Sequence, residues 1–287
     1  MDTHTRRPAA DRRDDARLWR TDALGGLELL RAHFVGFHFA PHAHEEFMVV
    51  ATEAGAGVPR FWGATQRVGP GDLFVLGPDE VHAGGPAEGA AWRYRSFYPP
   101  AALLRRVVRE VTGADRGVPH FARNVVDDPA TAGMLRRAHR ALEGSGSALA
   151  REASLLEALA GLVVRHAADV APARRAGHEH RAVRLAQEYL EALPGENVSL
   201  DTLACAAGIG SYHLCRVFRQ ETGLPPHAYQ LLVRVRHAKA LLGRGVPIAQ
   251  VAADTGFADQ AHLTRHFKRI FGVTPGRYLG QGAPTAS

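Results

Sequence analysis

The sequence predicts a two-part α+β multidomain chain: an N-terminal β-barrel with packed helices, then an all-α domain of two helix-turn-helix modules joined by a linker helix. Three observations predict it. Residues 22–98 run in short alternating or apolar stretches broken by glycine and proline. After Pro99-Pro100 the apolar residues recur at helical spacing instead. Finally, residues 213–229 (HLCRVFRQETGLPPHAY) return 49 positions later as residues 262–278 (HLTRHFKRIFGVTPGRY), with seven identities: His213/His262, Leu214/Leu263, Arg216/Arg265, Phe218/Phe267, Gly223/Gly272, Pro226/Pro275 and Tyr229/Tyr278. A duplicated unit of constant length is one small module used twice.

The 287 residues suffice for two domains, and 46% hydrophobic content suffices for ordinary cores. Residues 1–20 open with MDTHTRRPAADRRDDAR, which is polar and lacks the apolar centre of a signal peptide, so a disordered tail is expected. With no run of eighteen apolar residues, no transmembrane helix is expected, and the cytoplasm is the expected compartment.

The barrel domain is expected over residues 21–170. Its strand candidates are LELLRAHFVGFHF, EEFMVVATE, RFWGATQRV, DLFVLG and AAWRYRSFY. The turn at 68–72 (VGPGD) has Pro70 in the second position and Gly71 next. His42 and His44 are two residues apart and so share one face of a strand, and Glu46 has the same parity. His82 follows Gly71 by eleven residues and is their candidate partner. The candidate ligand-binding set is His42, His44, Glu46, Trp62, His82 and Tyr94, with Phe97 a further wall candidate. For each aromatic, ordinary core packing stands as the alternative.

Three helices follow. Leu103, Leu104, Val107, Val108 and Val111 make a broad stripe; Asp128-Pro129 reads as cap and first turn of a helix to about Leu142; Leu155, Leu156, Leu159, Leu162 and Val163 make another stripe after a GSGS loop. Residues 171–180, containing APARRAG, are expected to be a linker.

The second domain is expected over residues 181–287. Ser199 is an N-cap, Leu200, Leu203, Ala204 and Ala207 form a helical stripe, and Gly208 makes the turn. The next helix starts near Gly210-Ser211, buries Leu214, Val217 and Phe218, and ends at Gly223 before Pro225-Pro226. The second copy repeats this with Ile248, Val251 and Ala252, a turn at Gly256-Phe257 one residue longer, and Leu263, Phe267 and Ile270 inward. Residues 227–243 form the connecting helix, with Arg234 and Lys239 free to face water or phosphate. This half carries a net +5 of the chain's +6, the footprint of a duplex-DNA binder. Inward Leu214, Val217 and Phe218 leave Tyr212, Cys215, Arg216 and Arg219 outward; inward Leu263 and Phe267 leave Gln260, His262, Arg265 and Lys268 outward. These eight are the candidate DNA-binding residues, with Arg216 and Gln260 the favoured base readers. A phosphate or scaffold role competes at Arg265, which repeats Arg216, and is preferred for His213 and His262. Two cysteines, Cys205 and Cys215, give no metal or disulfide pattern.

Residues 181–279 resemble the two-module DNA-binding domain of the AraC/XylS family of transcription regulators. The segments LACAAGIGSYHLCRVFRQETG (203–223), RVRHAKALL (234–242) and IAQVAADTGFADQAHLTRHFKRIFGVTPGRY (248–278) carry the resemblance. It implies recognition helices near 211–221 and 260–270 in successive major grooves. The segment PHAHEEF…GPGDLFVLGPDEVH resembles the cupin-like sensor domain found ahead of that domain in AraC relatives. Metal-binding cupins place a Glu three or four residues after their second His; this chain has Phe47-Met48 there, and its carboxylates come earlier, at Glu45 and Glu46. Three imidazoles could still hold zinc or iron. The expectation is nonetheless no cofactor and no enzymatic activity. Together these readings imply a sequence-specific regulator, an activator contacting RNA polymerase, dimeric, controlled by a small-molecule effector in the barrel. The alternatives are an effector-independent dimeric regulator and a metal-dependent cupin enzyme fused to a DNA-binding domain.

Overall fold

The computed structural model describes residues 13–144, 146–168, 170 and 179–280. The chain divides into two compact units, residues 1–144 with 154–173, and residues 145–153 with 174–287. Among the described residues no helix is long and apolar enough to cross a membrane.

The strands of the first unit are β1 (Asp15–Thr21), β2 (Leu27–Phe34), β3 (Phe39–His42), β4 (Met48–Gly55), β5 (Arg60–Phe61), β6 (Ala64–Thr65), β7 (Asp72–Leu76), β8 (His82–Gly84), β9 (Trp92–Tyr98) and β10 (Val125–Asp127). They build a six-stranded sheet ordered β1-β2-β9-β4-β7-β10 and a four-stranded sheet ordered β3-β8-β5-β6. Its helices are α1 (Ala101–Thr112), α2 (Pro129–Glu143) and α3 (Ala148–His166), the last of which begins within the second unit. The central strands β4 and β7 of the larger sheet are buried on both faces. Met48, Val50, Phe74, Leu76, Trp92, Tyr94 and Tyr98 form one core cluster. The alternate residues Val49, Ala51, Leu73, Val75 and Phe97 are equally buried on the other face, where α2 packs on β4, β7 and β9. Double burial explains why MVVA and LFVL read as continuous apolar runs rather than alternating ones.

Beneath α2 the sheet carries a buried ionic network. Arg95 binds Glu53 (2.7 Å), Glu143 (2.9 Å) and His139 Nδ1 (2.8 Å). Asp128 caps α2 by accepting from the amides of Ala130 and Thr131, the role its sequence position predicts. The stripes on α1 and α3 are buried within the chain. Those residues therefore cover the fold and are not open to a dimer partner.

Two boundaries differ from expectation. Residues 1–12 of the anticipated tail lie outside the described residues, but Asp15–Thr21 is strand β1, paired in full register with β2. It has a polar, mostly exposed edge strand's composition, which conceals it. Residues 171–178 of the anticipated linker lie outside the described residues, while Glu179 and His180 already belong to α4 (Glu179–Ala192). Strand β10 was not anticipated; three residues are too few for a pattern.

The second unit continues with α5 (Leu200–Ala207), α6 (Ser211–Thr222), α7 (Pro226–Gly243), α8 (Ile248–Asp254), α9 (Gln260–Phe271) and α10 (Pro275–Gly280). The repeated residues are its joints. Gly223 and Gly272 both adopt the left-handed conformation that ends a helix, at φ +74° and +78°. Phe218 meets Tyr229 at 5.3 Å between ring centroids, and Phe267 meets Tyr278 at 5.7 Å. Pro226 and Pro275 open the helices that follow. Ile270 departs from the expected inward stripe and is 37% exposed.

Arg234 of α7 also departs from expectation. It is 6% exposed and faces neither water nor phosphate. Its guanidinium donates to three backbone carbonyls: Pro194 (2.9 Å), Glu196 (2.7 Å) and Gly256 (2.9 Å). It thereby ties the loop after α4 to the turn of the second module. That closeness needs glycine on both sides. A Cβ on Gly195 would stand 2.6 Å from Asp254 O, and one on Gly256 would stand 2.5 Å from Gly195 O. Lys239 lies over the rings of Phe271 and Tyr278, at 4.7 and 5.6 Å, so its charge is likewise engaged within the domain.

Candidate functional site

The first unit encloses a cavity of about 510 Å³, lined from both sheets. Phe34, Phe39, Phe74, Trp92, Tyr94 and Tyr98 give it an aromatic wall; Met48 and Val50 add aliphatic surface. One end is polar, with His42, His44, His82, Glu28 and Glu46, and no lysine or arginine lines it among the described residues.

The histidines converge because β3 pairs with β8 so that His42 lies opposite His82, while His44 follows two residues later. One ring nitrogen from each of the three lies within 4.8 Å of the others. His42 Nδ1 donates to Ala40 O (2.8 Å) and His82 Nδ1 donates to Glu80 O (2.9 Å). These two-residue bonds fix ring orientation and leave each Nε2 as the unprotonated atom in the neutral ring. His44 Nε2 is buried with no hydrogen-bond partner. Burial pushes the His82 imidazolium down to about 4, against the opposing pull of its bond to Glu80. His44 is lowered by burial and then by the nearby His42 charge. Burial raises the Tyr94 and Tyr98 hydroxyls, so both stay protonated. The polar end thus presents three imidazoles, those of His44 and His82 biased by burial toward the neutral form, beside two acidic side chains. Residues of this kind fit a nitrogen-ligated metal: three convergent imidazoles, one with a buried unmatched nitrogen.

Of the predicted set, His42, His44, Glu46, His82 and Tyr94 line the cavity. Trp62 does not. It is 78% exposed, at the tip of the β5–β6 hairpin, where Trp62 and Gly63 both have positive φ, as a two-residue turn requires. Phe97 is buried but on the opposite face of β9, against His139 at 5.1 Å. The parity that brings Tyr94 inward also brings Trp92 and Tyr98 inward; this signal was present in the sequence and points to two wall residues that the initial set omits.

In the second unit, α6 and α9 each present a basic face. Arg216 and Arg219 are exposed on α6, and Gln260, Arg265 and Lys268 on α9. Arg269, one turn beyond Arg265, is also exposed on α9 and is absent from the predicted set. Tyr212 is half-buried. Cys215 is 1% exposed and cannot reach DNA. The buried arc of α6 holds Ser211, Leu214, Cys215, Val217 and Phe218, two residues more than the stripe of Leu214, Val217 and Phe218 expected from sequence. His262 is half-buried; its Nδ1 accepts from the Ala258 amide at 3.4 Å, and its ring packs on Phe257 and His266. Burial, followed by the Arg265 charge, lowers its pKa. It supports the start of α9, consistent with the structural role its repetition suggested.

Comparison with known proteins agrees with both halves. Residues 24–159 match the AraC-like ligand binding domain family and residues 203–281 match a helix-turn-helix domain family. The chain is similar to the uncharacterized HTH-type transcriptional regulator YbfI of Bacillus subtilis, with 29% identity over 87% of this chain and 90% of that protein. It is 24% identical to the arabinose operon regulatory protein of Escherichia coli, over 83% of this chain and 82% of that one. Among solved structures, a probable AraC family transcriptional regulator from Rhodopseudomonas palustris matches 36% of this chain and 98% of its own, at 30% identity and a TM-score of 0.34.

Proposed function

An AraC-like ligand-binding domain followed by a helix-turn-helix domain places this chain in the AraC family of transcription regulators, and from that premise we propose that it is an activator switched by a small organic effector held in the barrel cavity. The observation that carries the reading is the cavity itself: about 510 Å³, walled by aromatic rings, with its hydrogen-bonding groups gathered at one end. That is the design of a site for a small amphipathic molecule. The absence of lysine and arginine from its described lining argues for a neutral or cationic effector rather than an acid. The effector acts by binding one arrangement of the protein more tightly than another. The reading places the protein in the cytoplasm, as a homodimer, contacting RNA polymerase from promoter DNA through α6 and α9.

A promoter reporter tests it. His44→Ala and His82→Ala are expected to abolish the effector response while the purified variants still bind operator DNA. A full response in the double variant refutes a sensing role for the cavity. Stability of the protein unchanged by every member of a chemically diverse ligand library would favour the effector-independent alternative.

A further inference from the structure

We propose that His42, His44 and His82 bind one divalent transition-metal ion, zinc or a borderline ion of similar preference, with an open coordination position facing the aromatic cavity. Three independent features carry this. The first is convergence: the ring nitrogens lie within 4.8 Å of one another. Three nitrogens at a zinc–nitrogen distance of about 2.0–2.1 Å sit roughly 3.4 Å apart. The cluster as it stands is thus within about 1.4 Å of that spacing. The second is preparation. His42 and His82 each donate Nδ1–H to the carbonyl of the residue two positions before, Ala40 and Glu80. This is the outer-shell arrangement that presents a bare Nε2 to a metal. His44 Nε2 is buried with no partner at all, a cost that a metal bond removes. The third is charge. Glu28 and Glu46 line the same end of the cavity, with no lysine or arginine in its described lining. Two acidic side chains with no basic residue beside them in that lining favour a cation there over an anion.

All-imidazole ligation selects zinc, cobalt, nickel or copper over magnesium or calcium, which prefer oxygen. The cupin carboxylate ligand is replaced by Phe47-Met48, so only three protein ligands are supplied. Tyr98 stands beside the cluster, its ring 4.9 Å from that of His44. An effector bearing a lone-pair donor can take the remaining position directly. The site stands whether or not the cavity senses an effector.

The test uses untagged full-length protein, stripped with a chelator and titrated with Co²⁺, with Zn²⁺ competition. One equivalent is expected to bind, with visible d–d bands of a four- or five-coordinate site that Zn²⁺ abolishes. His42→Gln, His44→Gln and His82→Gln are each expected to weaken binding at least 100-fold, with operator binding and circular dichroism confirming that each variant folds. His42 and His44 are half-buried, so their substitutions disturb the fold less than that of buried His82. His120→Ala, at an exposed histidine outside the cavity, is expected to change nothing. No Co²⁺ uptake, or uptake undiminished in folded triad variants, overturns the proposal. Effector binding to stripped protein that takes up no metal overturns the metal site and leaves the sensor reading intact.

Discussion

Arg234→Met removes three hydrogen bonds at once and nearly preserves side-chain length. The guanidinium donates to the carbonyls of Pro194, Glu196 and Gly256 at 2.7–2.9 Å. A charge-assisted bond contributes about 1.5–3 kcal/mol. The simple sum is too large, because burial itself disfavours this guanidinium, lowering its pKa. Glu196 O also keeps a partner in Gln230 Nε2 at 3.2 Å. Pro194 O and Gly256 O lose their bonds to Arg234. The expected net cost is therefore about 3–5 kcal/mol, as for breaking a buried charge network. Hydrogen exchange on the full chain reads this directly. Protection of residues 226–243 is expected to fall by roughly two to three and a half powers of ten, at about 1.4 kcal/mol per tenfold change. Residues 101–112 in the other unit serve as the internal control. A loss below about 1 kcal/mol, together with weaker DNA binding and a salt slope reduced by about one, would restore Arg234 to the phosphate contact its sequence position suggested and refute the argument.

Gly256→Ala is expected to destabilise the second unit by more than about 1 kcal/mol, since it adds a Cβ 2.5 Å from Gly195 O at a φ of +72°; chemical denaturation monitored by helix content checks it. Arg216→Ala is expected to cost about 1–3 kcal/mol on a cognate site and relax preference at one base pair, whereas Arg219→Ala weakens all sequences alike and lowers the salt slope; binding titrations on cognate and random duplexes at several salt concentrations separate the two. His139 supplies a pH dependence: burial, then Arg95, pushes its imidazolium down to about 3, while Glu53 favours the charged form. Glu143 of its own helix stands 3.8 Å away, Arg140 ties Glu53, and the Trp19 ring packs edge-on. The folded state therefore binds fewer protons than the unfolded state between about pH 3 and 6.5, so this contribution is full above 6.5 and is lost as pH falls. By pH 5 the loss is about 2 kcal/mol. Urea unfolding followed by tryptophan emission at pH 8 and 5 checks it; a His139→Gln variant with the same pH slope as the parent would refute the assignment.

Legibility from sequence tracked how local the determining physics was. The caps at Ser199 and Asp128, the glycine stops and the buried stripes of α1 and α3 follow from spacing alone and appear where expected. The histidine cluster was legible as parity plus one turn, but its convergence depends on the register that sets His42 against His82. Trp62 sits on a positive-φ hairpin turn, which nothing in the run RFWGATQRV marks as lying outside the cavity wall. Arg234 was misread for a different reason. Its partners are carbonyls 22–40 residues distant, and no periodicity encodes a backbone acceptor. Cys215 was lost to the assumption of a narrow stripe on a helix whose buried arc is broad.

The internal repeat separates scaffold from readout. Residues identical between the two copies are largely spent on structure: Leu214 and Leu263 in the cores, Phe218 and Phe267 against their tyrosines, Gly223 and Gly272 at the stops, His262 beneath its own helix start. The exposed faces diverge. Ser211 is buried and bonded to Asp201, while its counterpart Gln260 is exposed; Gln220 is replaced by Arg269, and Tyr212 by Ala261. Two modules that share a scaffold and differ on the outward face suit two different half-sites, not a tandem repeat of one sequence. Arg216 and Arg265 are the exposed pair that does not diverge. A shared residue can serve both modules alike by binding phosphate or by reading the same base in each half-site. Swapping residues 260, 261 and 269 for their first-module counterparts, with Arg265 untouched, would convert the second half-site toward the first if the diverging positions carry the readout; unchanged selection from a random duplex pool would assign it to the arginines.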